Sequence, residues 1–453
     1  MKIKKVFSRG RVSTMILIGL ALGVSGIFKI AAFAREAFIA ARFGLSAITD
    51  AYFALQQFPI TLATYMYGAF ALAFVPAYLQ ARKRNNETAA WIPGLLIWCF
   101  LAGTALTVLM SLGSSWLVGT LHIQNSIDVH TTVVLLSLCF APITLIGIWA
   151  SICTARGHNL WAMSMTGFPY LLMTVTLFGL YAIGRLNNLS LPISMTLGFV
   201  IVGAYSLVRI VLSQPMPRLN VSSLAIWRDL QFRAFLRQLG ASSVENCGFA
   251  ANQFLLIYFL SQTGTGVISA NTCAMRIATL GYTLLGMPLG QLVQGRLCTV
   301  SDDERPAAFR RWFVIVVVLM VAVALPLFLF RYPIIRLVYM HGKFQDTALQ
   351  TVASLMPAWI AYMVVMSINA VLARYLFILT RGSVYVRQQI FAYVAANLLR
   401  IVVTGRFDAS WIIWCSVGAE GCSLLLNLRT CLTASREQIA KTAAEFEALT
   451  EVA

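Results

Sequence analysis

Charged side chains interrupt an apolar stretch of the sequence at residues 28–78. Lys29, Arg35 and Glu36 fall within the first of two predicted helices, and Asp50 opens the second. An ionisable side chain costs roughly 2.5–3.5 kcal/mol at the centre of a membrane helix, so it normally faces the interior of a helix bundle or a wet cavity. The types and positions of these residues therefore predict a functional site inside a membrane domain.

Cations at these positions would suit a substrate that carries phosphate. Arg276 lies in the second helix of the other half of the chain and would face Arg35 if the two halves were pseudosymmetric. Lys29 would add a third cation to the same cleft, with Glu36 and Asp50 as the nearest anions. Arginine presents a planar fork of donors that matches phosphate oxygens, and it stays charged when it is partly desolvated.

A purely structural role is the alternative for the same residues. They could tie helices together, and Asp50 could simply cap the helix that it opens. Arg35 and Glu36 are consecutive, so on a helix they point about 100° apart and are not expected to pair with each other. Glu420, in the last predicted span, has no evident partner.

The composition excludes a soluble globular protein. Of the 453 residues, 59% are hydrophobic and 11% are charged, and the mean hydropathy is +0.79. A membrane-spanning helix needs about 20 mostly apolar residues, and twelve segments meet this requirement. They lie near 12–40, 51–79, 92–120, 130–153, 160–184, 190–213, 234–261, 268–297, 311–331, 347–377, 382–404 and 408–432.

The predicted fold class is an all-α polytopic membrane protein with about 12 transmembrane helices in two pseudosymmetric six-helix lobes around a central cavity. The longest connection, 214–233, separates an N-terminal lobe (1–213) from a C-terminal lobe (234–432), and a cytoplasmic tail (433–453) follows. A short internal echo supports this division, because Ser-Ala-Ile-Thr-Asp-Ala at 46–51 resembles Ser-Ala-Asn-Thr-Cys-Ala at 269–274. Two parallel lobes around a cleft are a common transporter plan.

The net charge of +18 is explained by where the basic residues lie relative to the membrane. With the N-terminus in the cytoplasm, 21 Lys and Arg residues lie on the cytoplasmic side and seven on the opposite side. This asymmetry is the positive-inside signature and predicts cytoplasmic termini, so nucleic-acid binding is not needed to explain the charge. The nine cysteines show no paired spacing, and neither a disulfide framework, a metal site nor a cofactor is predicted.

Several motifs resemble the MurJ/MviN family of lipid II flippases, within the multidrug/oligosaccharidyl-lipid/polysaccharide exporter superfamily. The matching residues are Phe33-Ala34-Arg35-Glu36-Ala37, Ala40, Arg42-Phe43-Gly44, Thr49-Asp50-Ala51-Tyr52-Phe53, Gly68-Ala69-Phe70, Ala73-Phe74-Val75-Pro76, Ser269, Ala274-Met275-Arg276-Ile277 and His341-Gly342-Lys343-Phe344. Two departures stand out. An arginine pair that the family carries near 62–63 is absent here, and well-known members continue through two further C-terminal helices.

The resemblance implies two six-helix lobes around a cationic cavity that takes the diphosphate-sugar head of a polyprenyl-linked precursor to the outer leaflet of the bacterial inner membrane. Carried over by position, Arg35 and Arg276 match cavity arginines, and Lys29 stands where the family has another arginine. The other positions implicated in function are Ala40, Asp50 and Ser269, to which the charge pattern adds Glu36. The implied partners are the glycan lipid and membrane lipids, together with a possible coupling cation and possible cell-wall synthesis proteins.

Alternating access is the expected mechanism, with the polyprenyl tail left in lipid. Two alternatives belong to the same superfamily: a flippase for another polyprenyl-linked polysaccharide intermediate, and an ion-coupled exporter of small molecules. Two others belong to different classes, a membrane enzyme that polymerises or ligates glycans and a non-transporting scaffold of the cell-wall machinery. No large outer loop carries catalytic acids or histidines, so an enzyme is not predicted.

Overall fold

A computed structural model of the protein describes residues 23–79, 91–121, 127–213, 230–282, 304–379 and 381–452, except 25, 72 and 76, together with residues 293, 297 and 300. These residues are helical or lie in turns and short connections, and they contain no strand. The prediction of an all-α polytopic protein is confirmed.

Long helices separated by short connections account for most of the described chain. In the N-terminal half they are α1 (26–43), α2 (Ala47–Leu55), α3 (Gln57–Tyr65), α4 (Ile92–Leu112), α5 (Ser114–Thr120), α6 (Ile127–Ser137), α7 (Phe140–Ala155), α8 (Asn159–Ala182) and α9 (Ser190–Ser213). In the C-terminal half they are α10 (Leu230–Ser261), α11 (Val267–Gly281), α12 (Arg305–Leu329), α13 (Arg331–Tyr339), α14 (Asp346–Ile378), α15 (Gly382–Val403) and α16 (Ala409–Val452).

Eight helical segments within the described residues are long and apolar enough to cross a membrane. They are Ala47–Leu79, Ile92–Leu112, Asp128–Ala155, Leu160–Ala182, Ser190–Ser213, Arg305–Leu329, Asp346–Ile378 and Ala409–Ala434. Much of the predicted first span and most of the second half of 268–297 lie outside the described residues. The total of twelve spans therefore stays a prediction.

The chain divides into two compact units. Unit 1 comprises Met1–Ile39 and Ala47–Cys247, and unit 2 comprises Ala40–Ser46 and Gly248–Ala453. The predicted inter-lobe linker at 214–233 lies largely outside the described residues. The predicted tail is helical where it is described, because α16 continues from the last span to Val452 without a break.

Close helix packing in unit 1 depends on small residues. Gly198 of α9 faces Pro169, which lies inside α8, and a Cβ atom at Gly198 would be only 2.4 Å from the Pro169 carbonyl oxygen. Gly103 of α4 packs equally closely on Ala141 of α7. Small residues of this kind let helix backbones approach each other in a membrane, where packing replaces the hydrophobic effect.

Aromatic packing marks the core of each unit. In unit 1, Trp91 stacks on Phe235 with ring centroids 5.7 Å apart. In unit 2, Phe309 of α12 stacks on Tyr375 of α14 at 3.9 Å. These contacts hold each unit together, and the polar side chains that could bind a substrate are set among them.

Candidate substrate site

Arg35 and Glu36 are buried together in unit 1. Their side chains are 3% and 2% exposed, and Arg35 Nη2 donates to Glu36 Oε1 at 2.9 Å. The expectation that consecutive residues on a helix would not pair is therefore wrong. The arginine side chain is long enough to fold around the helix surface, and in a buried setting the nearest carboxylate is its strongest partner.

The remaining donors of Arg35 have weak acceptors or none. Nη1 faces the thioether sulfur of Met173 at 3.2 Å, and Nε is buried without an acceptor among the residues that the structure describes. The guanidinium carbon lies 5.8 Å from the ring centroid of Tyr170. A buried guanidinium normally uses most of its five N–H groups, so this one has donors to spare for an anionic ligand.

Helix α8 places both of these contacts one turn apart. Tyr170 and Met173 lie three positions apart, so they share a face of α8, and that face is turned toward Arg35. The hydroxyl of Tyr52 also reaches Met173, at 3.8 Å, and the sulfur of Met195 at 3.7 Å. Sequence reasoning missed Tyr170, Met173 and Met195, since nothing near Arg35 in the chain points to a helix 138 positions away.

The other predicted site residues are divided between the two units. In unit 1, Asp50 is 6% exposed in the first turn of α2, and the side chain of Lys29 is exposed. In unit 2, Ala40 and Ser269 are buried at 3% and 0% exposure, and Arg276 is partly buried. A shared cleft lined by Lys29, Arg35 and Arg276 stays a prediction.

A turn at Gly44 follows α1 and is held within unit 2. Gly44 has φ +67°, and its N–H closes the end of α1 on the Ala40 carbonyl at 3.0 Å. The Lys343 N–H donates to the Ala41 carbonyl at 2.7 Å. Gly342 has φ +66°, and a Cβ atom there would be 2.3 Å from that same carbonyl, so only glycine fits.

A polar cavity of about 300 Å³ lies beside this contact. Its lining residues are Leu45, Thr265, Gly266, Lys343, Gln345, Thr347, Ala348 and Thr351. Elsewhere, the part of the chain that the structure describes contains no group of three or more His, Cys, Asp or Glu side chains that could hold a metal ion.

A second buried arginine, in α15, was not predicted as part of a site. Arg400 is fully buried and donates only to neutral oxygens in the hydrogen bonds that the structure describes. Its Nη1 reaches Asn252 Oδ1 at 2.9 Å and Asn397 Oδ1 at 2.6 Å, and its Nη2 reaches Ser416 Oγ at 2.5 Å. These acceptors come from α10, α15 and α16, so Arg400 joins three helices of unit 2.

The helices and the buried charges together define a class of protein: a multi-pass helical membrane transporter. The family described as "Lipid II flippase MurJ" matches residues 39–440. The chain belongs to the MurJ family of lipid II flippases, as the motifs predicted. It is accordingly a multi-pass protein of the bacterial inner membrane.

Two curated relatives show the level of similarity. "Lipid II flippase MurJ" of Burkholderia cenocepacia is 24% identical over 437 residues, which cover 92% of this chain and 82% of that protein. "Probable lipid II flippase MurJ" of Buchnera aphidicola subsp. Schizaphis graminum is 22% identical over 354 residues, which cover 74% of this chain and 66% of that protein.

Solved structures share the fold. A lipid II flippase MurJ in an inward closed conformation superposes with a TM-score of 0.78 at 16% identity, covering 96% of this chain and 93% of that one. An inward-facing multidrug resistance transporter of the MATE family gives a TM-score of 0.73 at 14% identity, covering 92% and 99% of the two chains.

Proposed function

We propose that this protein is a flippase that moves lipid II, or a closely similar polyprenyl-diphosphate-linked glycan precursor, across the bacterial inner membrane for peptidoglycan biosynthesis. Membership of the MurJ family supports the substrate class. The observation that carries the proposal is the buried guanidinium of Arg35, which has only one strong acceptor, Glu36. On this proposal the protein is a transporter and not an enzyme.

A diphosphate group would compete with Glu36 for Arg35. Phosphate oxygens accept two parallel N–H bonds from one guanidinium, and such charge-assisted bonds are roughly twice as strong as neutral ones. The Nη1 and Nε groups, which face sulfur or no acceptor in the structure, would gain anionic oxygens. Glu36 would then act as the resident anion that neutralises Arg35 whenever no substrate is bound.

The rest of the proposed site follows from the sequence. Lys29 and Arg276 are proposed as further cations for the substrate head, and Asp50, Ser269 and Ala40 as positions that shape the site. Both termini are proposed to lie in the cytoplasm, which the excess of basic residues on that side supports. Alternating access of two lobes, a coupling cation and contacts with cell-wall synthesis proteins complete the proposal.

The decisive experiment removes the whole ion pair instead of one partner. Replacing Arg35 alone would remove the cation that pairs with buried Glu36, and breaking a buried pair in this way costs about 3–5 kcal/mol, so misfolding could not be told from loss of binding. The double variant Arg35→Gln/Glu36→Gln keeps polar side chains at both positions and removes both charges of the pair. We expect it to fold and to bind lipid II roughly 10- to 100-fold more weakly, through the loss of charge-assisted hydrogen bonds.

A matched control exists at the protein surface. Arg381 and Glu437 form an ion pair whose side chains are 36% and 57% exposed, and Arg381→Gln/Glu437→Gln removes the same charges there. In proteoliposomes with fluorescent lipid II, the control should flip substrate like the unmodified protein. Lipid II flipping at the unmodified rate by the buried double variant would contradict the proposed role of Arg35.

Other substrates can be tested in the same vesicles. A polyprenyl-diphosphate exopolysaccharide intermediate, if flipped in preference to lipid II, would reassign the glycan while keeping the diphosphate site. Export of cationic drugs without any flipping of lipid-linked glycans would instead favour the small-molecule exporter. A basic site such as that of Arg35 should disfavour cations, so we expect no drug transport.

A further inference from the structure

Glu420 occupies the centre of a buried polar cluster in unit 2. It is 5% exposed in α16, the helix that packs on both α14 and α15. Its Oε1 accepts from Asn369 Nδ2 of α14 at 2.9 Å, and its Oε2 accepts from Gln389 Nε2 of α15 at 2.6 Å. The sequence-based view that Glu420 lacks a partner is therefore wrong, because two other helices supply amide donors.

The side-chain amides of this cluster form a series of hydrogen bonds, an amide chain, in which donation runs in one direction. Asn427 Nδ2 donates to Asn369 Oδ1 at 2.7 Å, and Asn369 in turn donates to Glu420. Ser423 Oγ donates to Gln389 Oε1 at 3.1 Å, and Gln389 also donates to Glu420. Two further bonds link these branches, from Asn369 Nδ2 to Gln389 Oε1 at 3.1 Å and from Asn427 Nδ2 to Ser423 Oγ at 3.2 Å. All of these bonds lead toward the carboxylate, and a carboxyl group can accept on both oxygens without donating only when it is ionised.

The opposite end of the chain has an acceptor to spare. Asn427 is fully buried, and its Oδ1 has no hydrogen-bond donor among the described residues. Buried carbonyl oxygens without a donor are uncommon in proteins. This oxygen lies on the side chain that begins the series of bonds ending at Glu420.

Addition of a proton to Glu420 would reverse the hydrogen bond to Gln389. A protonated Oε2 must donate, and rotation of the Gln389 amide by half a turn would present its Oε1 as the acceptor in place of Nε2. The rotated Nε2 would donate to Ser423 Oγ, while Asn369 Nδ2 would keep its bond to Glu420 Oε1, which still accepts, and would give up its bond to Gln389 Oε1. The cluster thus contains an acceptor for the added proton and a donor for the other oxygen of Glu420.

A fixed positive charge lies in the same unit. Tyr362 of α14 interacts electrostatically with both Glu420 and Arg400, and Arg400 is held in place by Asn252 and Ser416. The titratable groups that interact with Glu420 are Tyr282 and Tyr362, and these tyrosines interact in turn with Arg374, Tyr393 and Arg400. Ionised Glu420 supplies the negative charge of this set, so the charge of the core changes when it is protonated.

We propose that Glu420 is a proton-binding site of unit 2, at which a proton from the aqueous phase converts the carboxylate to a carboxylic acid and reverses the hydrogen bond between Gln389 of α15 and Glu420 of α16. No other covalent bond forms or breaks. The site goes beyond the proposed flippase function, since it does not involve the substrate. It would allow proton uptake to change how three helices are hydrogen-bonded to one another.

The test is an infrared titration of the purified full-length protein in nanodiscs, without substrate. A protonated carboxyl group has a C=O stretching band that shifts in D₂O. We expect this band to grow as the pH is lowered and to be lost in Glu420→Gln, which can accept and donate within the same chain. The matched control is Glu437→Gln, which removes an exposed carboxylate from the same helix and should keep the band.

A second variant makes the prediction quantitative. Gln389→Leu removes one donor to the ionised carboxylate, so we expect the midpoint of the Glu420 band to move up by about one to two pH units. A band that is unchanged in Glu420→Gln, or a cluster that shows no titrating carboxyl at any pH where the protein stays folded, would overturn the proposal. Because no substrate is present, neither result depends on whether the protein flips lipid II.

Discussion

Two buried arginines show how hydrogen-bond partners separate a structural charge from one that is available to a ligand. Arg400 donates to amide, hydroxyl and backbone oxygens from three helices, so its charge is solvated by the protein itself. Arg35 has one carboxylate and one thioether acceptor, and its Nε has no acceptor among the described residues. Buried donors without acceptors are costly, so an anionic ligand would gain more from Arg35 than from Arg400.

The role of Arg400 leads to a stability prediction. Arg400→Met would leave the side-chain oxygens of Asn397 and Ser416 without the donor they have in the structure, at about 1–3 kcal/mol for each buried group. Asn252 Oδ1 would keep only its bond from Asn397 Nδ2. We expect a clear fall in the melting temperature in detergent. The control is Arg209→Met, since Arg209 is exposed and only stacks over Trp149 at 5.8 Å. Equal melting temperatures for the two variants would argue against a structural role for Arg400.

At the scale of helices, the site in unit 1 depends on how closely α8 and α9 approach. Gly198 lies against the carbonyl of Pro169, and the backbone nitrogen of Met173 would be 3.2 Å from a Cβ atom at the same position. Met173 is also the residue whose sulfur contacts Arg35. The glycine therefore determines the position of a side chain that it does not itself touch.

Gly198→Ala should test this coupling. The added methyl group would force α8 and α9 apart, because the neighbouring atoms are backbone and cannot rotate away. We expect a lower melting temperature and a reduced flipping rate. Gly179→Ala, on α8, is the control, since a Cβ atom there has no neighbour within 4 Å. Equal melting temperatures and flipping rates for Gly198→Ala and Gly179→Ala would show that the close approach of α8 and α9 is unimportant.

At the scale of the whole molecule, the exposed apolar side chains and the distribution of basic residues both indicate a membrane environment. Leu112, Trp116, Leu212 and Leu337 are each at least 74% exposed, which only a lipid surrounding makes favourable. Basic residues concentrate on one predicted side. An anionic head group carried to the other side would cross the full membrane potential.

The potential should therefore change the rate of transport. A negative interior favours outward movement of an anion by roughly 2.3 kcal/mol per charge for each 100 mV. In proteoliposomes with potassium diffusion potentials set by valinomycin, we expect flipping from the negative side to be faster than at zero potential, and slower when the sign is reversed. A flipping rate that does not depend on the sign or the size of the membrane potential would mean that no net charge crosses the membrane during transport.

Local hydropathy was enough to locate most of the helices. Spans predicted at 190–213 and 347–377 correspond to Ser190–Ser213 and Asp346–Ile378, because about 20 mostly apolar residues have few alternatives in a bilayer. The burial of Arg35 and Glu36 was predictable for the same reason. Their pairing was not, because it depends on how a long side chain bends within a packed bundle.

The sequence by itself determined that the protein is a helical membrane transporter with charges inside the bilayer, since length, apolar content and motif residues are local properties of the chain. Only the tertiary structure decided which groups those charges meet. Met173 lies 138 positions from Arg35, and Asn369 lies 51 positions from Glu420. Such partners depend on the rotation of each helix about its axis, which packing sets.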